Sequence, residues 1–368
     1  MNIHDMLKHM IKKDASDLHL KVGSFPILRI NRALIPQENF ERLTHDMILR
    51  IIDVIADENQ KREFYEKNEV DYAYISNGIG RFRVNIFKQR GECGIVMRRI
   101  KEVIPTFEEL NLPNVFEKIA SQERGIILIT GAASSGKTTT MASIINYINK
   151  HKNKHVMTLE NPIEYIHRDI MSVINQREIG VDTDSFHEAL RHVIRQDPDV
   201  IVIGEMRDRE SVTTSVSSAE TGHLVLSSFH AEDTVQAVRR MLDYYAETER
   251  NIMRGELANN IKAITCQRLV KCLDSYGKAE GVKLIPATEI LIVTPIVAKL
   301  IHDGKYNNIY KILQSGDGGM HSFNMSLIDL FKNKKISKEE ALSKSSNPEA
   351  LKINLKGIYL DQDKAILG

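Results

Sequence analysis

The stretch GIILITGAASSGKTTTMASIINYI, residues 125–148, decides the fold. An apolar, β-branched run (Gly125 to Thr130) leads directly into GAASSGKT (Gly131 to Thr138), and a segment with helical spacing follows. This is the order strand, G-x-x-x-x-G-K-[ST] loop, helix, the arrangement in which backbone N–H groups at a helix N-terminus cradle phosphate oxygens. Glycine is needed where the backbone must turn tightly. Lys137 is placed to reach the β and γ phosphates of a nucleotide, and the Thr138 hydroxyl to hold Mg²⁺. ATP and Mg²⁺ are the expected ligands.

Working outward, three further strand ends carry chemistry. DVIVIGEMRD (199–208) is a buried-strand run ending at Gly204 and Glu205, the second acidic element that a P-loop domain needs near its metal. TLENPIEYIH (158–167) brings Glu160 and Glu164 off another strand around Pro162; one carboxylate on such a turn can orient a water toward the γ phosphate, which is general-base work. AETGHLVLSSFH (219–230) carries His223 and His230 at opposite ends of a strand. His230 lies at the carboxyl end, where ligands bind in α/β sheets.

The texture of the chain divides it. Before residue 101, ASDLHLKVGSFPILRINRALIP and VDYAYISNGIGRFRVNIFKQRGECGIVMRRI alternate apolar and polar residues around a turn at Asn77-Gly78, predicting a domain of sheet and helices over 1–100. Residues 101–113, with Pro105 and Pro113 and little periodicity, read as an interdomain linker able to act as a hinge. From 114 to 368 an α/β domain is expected: short β-branched runs alternate with helical spacing, and beyond about residue 234 the pattern becomes nearly all helical. The segment from Pro348 onward reads as a peripheral tail.

Composition bounds the partners. Fifty basic residues against 49 acidic ones give a net charge of +1, and aromatic content is 6%, so neither a basic channel nor a base-stacking surface is forecast and no nucleic-acid partner is expected. No apolar run is long enough to span a membrane and no secretory leader is recognisable, so the expected location is the cytoplasm. Cys93, Cys266 and Cys272 are too scattered for a disulfide framework or a paired zinc site, and read as reduced core residues.

In order, GAASSGKT, TLENPIEYIH, DPDVIVIGEMRD and TGHLVLSSFH resemble the Walker A, Asp box, Walker B and His box of the secretion-superfamily (GspE-like) ATPases. ASDLHL, GRFRVN and KKISKEEALSKSSNPEAL extend the resemblance to the PilT/PilU group, the type IV pilus retraction motors. The resemblance implies an α/β architecture with an N-terminal PAS-like α+β domain, then a RecA-like P-loop ATPase domain with a helical C-terminal region. It further implies a homohexameric ring that hydrolyses ATP, acts on an inner-membrane pilus platform protein, lies peripheral to that membrane at the pilus base, and can work beside a paralogous retraction ATPase. By the same resemblance Glu164 is the catalytic carboxylate, Glu205 the Walker B residue and His230 a γ-phosphate sensor. Thr138, Glu205 and Glu160 are the metal set. Gly131, Ala132, Ala133, Ser134, Ser135, Gly136, Lys137, Thr138 and Thr139 bind ATP, with Arg81 and Arg83 of GRFRVN contributing from the first domain.

The sequence departs from the pattern in places. Asn161 stands where the Asp box usually has Asp, removing a negative charge near the metal. Ile296 to Ile301, IVAKLI, carries Ala298-Lys299 where the retraction motors have an Arg-Asn pair, which resembles the accessory PilU branch at least as well as PilT, and LKINLKGIYL (351–360) leans the same way. The alternatives are an accessory or poorly hydrolysing nucleotide-dependent ring subunit, and a pilus assembly or secretion ATPase. The latter usually has a longer N-terminal region and a tetracysteine zinc site.

Overall fold

The computed structural model describes residues 2–30, 33–100, 103–280 and 283–355. The chain forms two compact units, Met1–Val103 with Glu164–Ile166, and Ile104–Ile163 with His167–Gly368.

Among the described residues, the first unit is built on a six-stranded antiparallel sheet in the order β3-β2-β1-β6-β5-β4. The strands are β1 (Asp17–Lys21), β2 (Ile27–Ile30), β3 (Ala33–Pro36), β4 (Glu69–Ser76), β5 (Gly80–Gln89) and β6 (Glu92–Ile100). Alternation along β5 sends Phe82, Val84 and Ile86 into a core shared with the helices Ile3–Lys12 and His45–Ile55, and leaves Arg81, Arg83 and Asn85 on the other face. The turn expected at Asn77-Gly78 joins β4 to β5, with Gly78 at φ +73°. This is the PAS-like α+β part of the chain.

The second unit carries a seven-stranded sheet, β13-β12-β7-β11-β10-β8-β9. Its strands are β7 (Gly125–Thr130), β8 (His155–Glu160), β9 (Val173–Glu178), β10 (Val200–Ile203), β11 (Leu224–Phe229), β12 (Ile261–Lys271) and β13 (Leu284–Ile292). All neighbours run parallel except the β12–β13 pair. Parallel strands covered on both faces read as continuous apolar runs, which is why β7, β10 and β11 are buried at every position. Successive side chains feed opposite cores: Ile126, Leu128, Ile201 and Ile203 to one, Ile127, Ile129, Val200 and Val202 to the other. From Pro295 onward the described chain is helical.

Three expectations are revised. The region after residue 234 holds two long strands, β12 and β13, where helix was expected; β12 lies inside the sheet and β13 at its edge, but most residues of both are buried, and a strand buried on both faces loses the period-2 signal. Phe107 and Leu112, in the segment read as linker, sit in the second unit's core beside Phe116, and Thr106 and Glu109 cap one another there. Lys101 and Glu102 lie outside the described residues. The presumed tail starts as a helix, Pro348–Leu355, whose Leu351 is fully buried against Leu327, Ile336 and Ala341. Residues 356–368, including the end of LKINLKGIYL, are outside the described residues.

The cysteines Cys93, Cys266 and Cys272 are free and buried. No helix among the described residues is long and apolar enough to cross a membrane.

Candidate active site

The P-loop leaves the carboxyl end of β7 and closes on the helix Lys137–His151, which Gly136 caps in a left-handed conformation (φ +92°). A Cβ on Gly131 (φ +140°) would lie 2.5 Å from the Gln267 carbonyl and 2.6 Å from Ser135 Oγ, and one on Gly136 would lie 2.8 Å from Gln267 Nε2. Both glycines are therefore required by space as well as by backbone conformation. Lys137 folds back over the loop, its Nζ donating to the carbonyls of Gly131 and Ala132 at 2.9 Å each.

These residues fit a phosphate group. The helix has no acidic residue in its first turn and no side-chain cap, leaving its N-terminal N–H groups to the loop. Ser135 Oγ is buried without a hydrogen-bond partner among the described residues. Ala132, Ala133 and Ser134 are exposed along the rim, and Thr138 and Thr139 are half-buried in the first helical turn.

The strands β11, β10 and β8 follow β7 in that order across the sheet, so the elements that leave their carboxyl ends line one edge. His230, just past β11, and Glu205, just past β10, meet there: His230 Nε2 is 3.0 Å from Glu205 Oε1. The other carboxylate oxygen of Glu205 accepts from Arg207 Nη2 at 2.8 Å, and that contact raises the guanidinium's pKa. Gly204 sits against β8, where a Cβ would come within 3.2 Å of the Leu159 carbonyl. Glu160, at the end of β8, is held by Thr158 Oγ1 (2.7 Å) and Gln176 Nε2 (3.1 Å), both donating to Oε1.

The other sequence-derived candidates belong to the first unit or to the far end of β11. Glu164 is exposed and, with Arg81 and Arg83, belongs to the first unit. Arg83 Nε pairs with Asp71 at 3.4 Å. Arg81 Nε is buried and has no hydrogen-bond partner among the described residues. His223 lies at the opposite end of β11 from His230, with Nδ1 2.9 Å from the Ser218 carbonyl, and takes no part in this cluster.

Sequence reasoning missed two supports. Gln267 on β12 is 1% exposed and grips the P-loop; nothing local in ITCQRLV separates it from a surface glutamine on a helix. Glu289 on β13 is a buried carboxylate whose Oε1 accepts from both the backbone N and the Oγ1 of Thr234, at 2.9 Å each, so anchoring the helix Thr234–Leu242 that follows His230. Burial pushes its pKa up, an effect the Thr234 contacts oppose. A carboxyl raised in the folded state contributes stability that is complete below its unfolded pKa and is lost as pH rises through the folded value. Glu289→Gln keeps an acceptor for Thr234 and removes that loss. Its melting temperature should match or exceed the parent's at about pH 8, with the advantage vanishing toward about pH 4, as thermal unfolding across pH will register.

The chain matches the family model described as "Type II/IV secretion system protein" over residues 1–314. Among its relatives, the type IV pilus ATPase PilU of Pseudomonas aeruginosa is 36% identical over 357 residues, covering 97% of this chain and 92% of that protein. The type IV pilus retraction ATPase PilT of the same organism is 36% identical over 350 residues, covering 95% and 99%. A crystal structure of the pilus retraction motor PilT with bound ADP superposes with a TM-score of 0.87 at 35% identity, over 95% of this chain and 98% of that one. With the nucleotide-type P-loop and its acidic strand ends in place, this chain belongs to the type II/IV secretion system protein family, within its PilT/PilU group of ATPases.

Proposed function

We propose that this chain is the subunit of a homohexameric motor that hydrolyses ATP to power retraction of type IV pili, and hence twitching motility. The P-loop carries the reading: its two crowded glycines, the orphaned Ser135 hydroxyl and the uncapped helix N-terminus form a seat for phosphate. The retraction assignment draws on PilT and PilU, whose similarity extends over nearly the whole chain. The motor would act on an inner-membrane platform protein from the cytoplasmic side, alone or with a paralogous ATPase.

In this reading Lys137 and the loop N–H groups bind the β and γ phosphates, and Gly131 through Thr139 enclose them. Thr138, Glu205 and Glu160 are the residues that would hold Mg²⁺, which supplies charge neutralisation on the phosphates when bound. Glu205 and Glu160 already accept hydrogen bonds from His230, Arg207, Thr158 and Gln176, so their carboxylates are oriented in advance. Glu164 takes the proton of the attacking water. His230, held to Glu205 at 3.0 Å, would serve as the sensor of the γ phosphate.

The carboxylates are separable by experiment. Glu164→Gln should keep ATP affinity within about threefold and lose turnover by about 10²-fold or more, whereas Glu205→Gln should also weaken Mg²⁺-dependent nucleotide binding. Normal turnover in Glu164→Gln with loss in Glu160→Gln would move the base to Glu160. For the whole assignment, a strain lacking the gene should extend surface pili and fail to retract them under fluorescence microscopy. Normal retraction speed and force would refute the motor role. Phosphate release by the purified chain alone supports a motor in its own right; release only when a paralogous ATPase is added supports the accessory alternative suggested by Asn161 and Ala298-Lys299.

A further inference from the structure

Strand β12 alternates as its pleat requires, so Gln267 faces one side of the sheet while Cys266 and Arg268 face the other. Gln267 reaches the P-loop. Its Nε2 donates to the Ser135 carbonyl at 2.7 Å, and its Oε1 accepts from Thr140 Oγ1 at 2.9 Å. On the opposite face lies the segment that carries the chain from His230 into the helix Thr234–Leu242. Cys266 Sγ donates to the Ala231 carbonyl at 3.4 Å, and Arg268 Nη2 to the Glu232 carbonyl at 3.1 Å.

Arg268 extends further. Its Nη1 donates to the Lys344 carbonyl at 2.6 Å, its Nη2 to Ser346 Oγ at 2.9 Å, and its guanidinium lies 4.1 Å from the centre of the Phe323 ring. Lys344 is the last residue of the helix Lys338–Lys344, whose terminal carbonyls lack intrahelical partners and favour a cation. That helix is also fastened to β12 through Glu340 Oε1, which accepts from the Lys271 backbone N at 2.8 Å. These contacts of Arg268 go to neutral oxygens spread around a planar fork, a geometry that a single ammonium cannot reproduce.

Resting on the ATP-hydrolysing reading of the site, we infer that Gln267 and Arg268 are positioning residues with separate tasks. Gln267 sets the P-loop for phosphate binding, and Arg268 sets the His230 segment for turnover while tying it to the helix Lys338–Lys344. The division follows from what each residue holds. Gln267 fixes the turn that ends in Gly136 and presents the N–H groups, so losing its donor loosens the phosphate seat in ground and transition states alike. Arg268 instead bonds to Glu232, Lys344 and Ser346, on the face of the strand opposite Gln267. It fixes the backbone two residues beyond His230, and misplacing a reacting group by about 1 Å costs on the order of 10²-fold in rate.

The test uses the full-length chain carrying Gln267→Ala, Gln267→Glu, Arg268→Ala or Arg268→Lys, with Lys137→Ala in parallel. Equilibrium binding of ADP, phosphate release at saturating ATP, thermal unfolding and amide hydrogen exchange are measured. Both Gln267 variants should weaken ADP about tenfold while kcat at saturation stays within about threefold of the parent. Arg268→Ala should lower kcat about tenfold with ADP affinity changed less than about threefold, and Arg268→Lys should recover part of that loss. Hydrogen exchange in Arg268→Ala should quicken at residues 230–234 and 338–346 together and leave the P-loop unchanged. Binding and kcat falling together in both positions, in step with a lowered melting temperature, would mark a merely structural role and overturn the inference, as would parental kinetics in all four variants. Normal turnover in Lys137→Ala would instead overturn the reading of the site itself.

Discussion

Lys137→Ala should abolish measurable phosphate release, with kcat/KM falling by at least about 10²- to 10³-fold, the range for removing one preorganised donor from a developing charge. The ammonium lies folded over the loop against the Gly131 and Ala132 carbonyls and is already close to where phosphate oxygens would sit. Its loss creates no cavity in the sheet core, since the side chain is only half-buried and Ala132 is exposed to water. Unfolding stability should therefore stay within about 0.5 kcal/mol of the parent, the usual range for a surface change. A coupled phosphate assay and a thermal melt on the same preparation decide the matter. Near-normal turnover would remove the P-loop from the mechanism, and a large drop in stability would make the loss uninformative about catalysis.

The parts of the fold that were legible in the sequence are those whose local pattern agrees with their environment. GIILIT, DVIVIG and HLVLSSF are short β-branched runs bounded by polar or glycine-rich segments, and they became the central strands β7, β10 and β11. The positions of His230 and Glu205 followed from strand ends alone, and the structure brings the two side chains within 3.0 Å. β12 failed for the opposite reason. It continues directly from the helix Glu247–Asn260 with no glycine or proline between, and Lys262, Gln267 and Arg268 interrupt its apolar residues at spacings compatible with a helix. Only the pairing with β7 and β13, a tertiary interaction, makes it a strand. The same holds for the supports of the site. Gln267 meets Thr140 across 127 positions of sequence and Glu289 meets Thr234 across 55, separations at which no local motif operates.

The cations around the P-loop set up the remaining prediction. Phosphoryl transfer needs positive charge on the γ phosphate, and in the second unit Arg207 is engaged by Glu205 and Arg240 by the His230 carbonyl, while Lys137 serves the loop itself. A further cation is therefore expected from the first domain or from a neighbouring subunit. On β5, Arg83 is paired with Asp71, whereas Arg81 Nε is buried without a hydrogen-bond partner among the described residues, which makes Arg81 the stronger of the two candidates. A trans-acting arginine contributes about 10³- to 10⁵-fold in rate, or roughly 4 to 7 kcal/mol of transition-state stabilisation. Arg81→Ala should then reduce kcat by about 10³-fold while ATP still binds, and Arg83→Ala by less, because Asp71 must first release its guanidinium. If the arginine arrives from a neighbour, specific activity should rise steeply with protein concentration as rings assemble, and a catalytically dead Glu164→Gln subunit should regain turnover in mixed rings with Arg81→Ala subunits. That complementation arises because one variant supplies the arginine and the other the base. Sedimentation in parallel with phosphate release tests this. A monomer with full, concentration-independent activity, or parental rates in both arginine variants, would reject the shared site and leave the P-loop assignment standing.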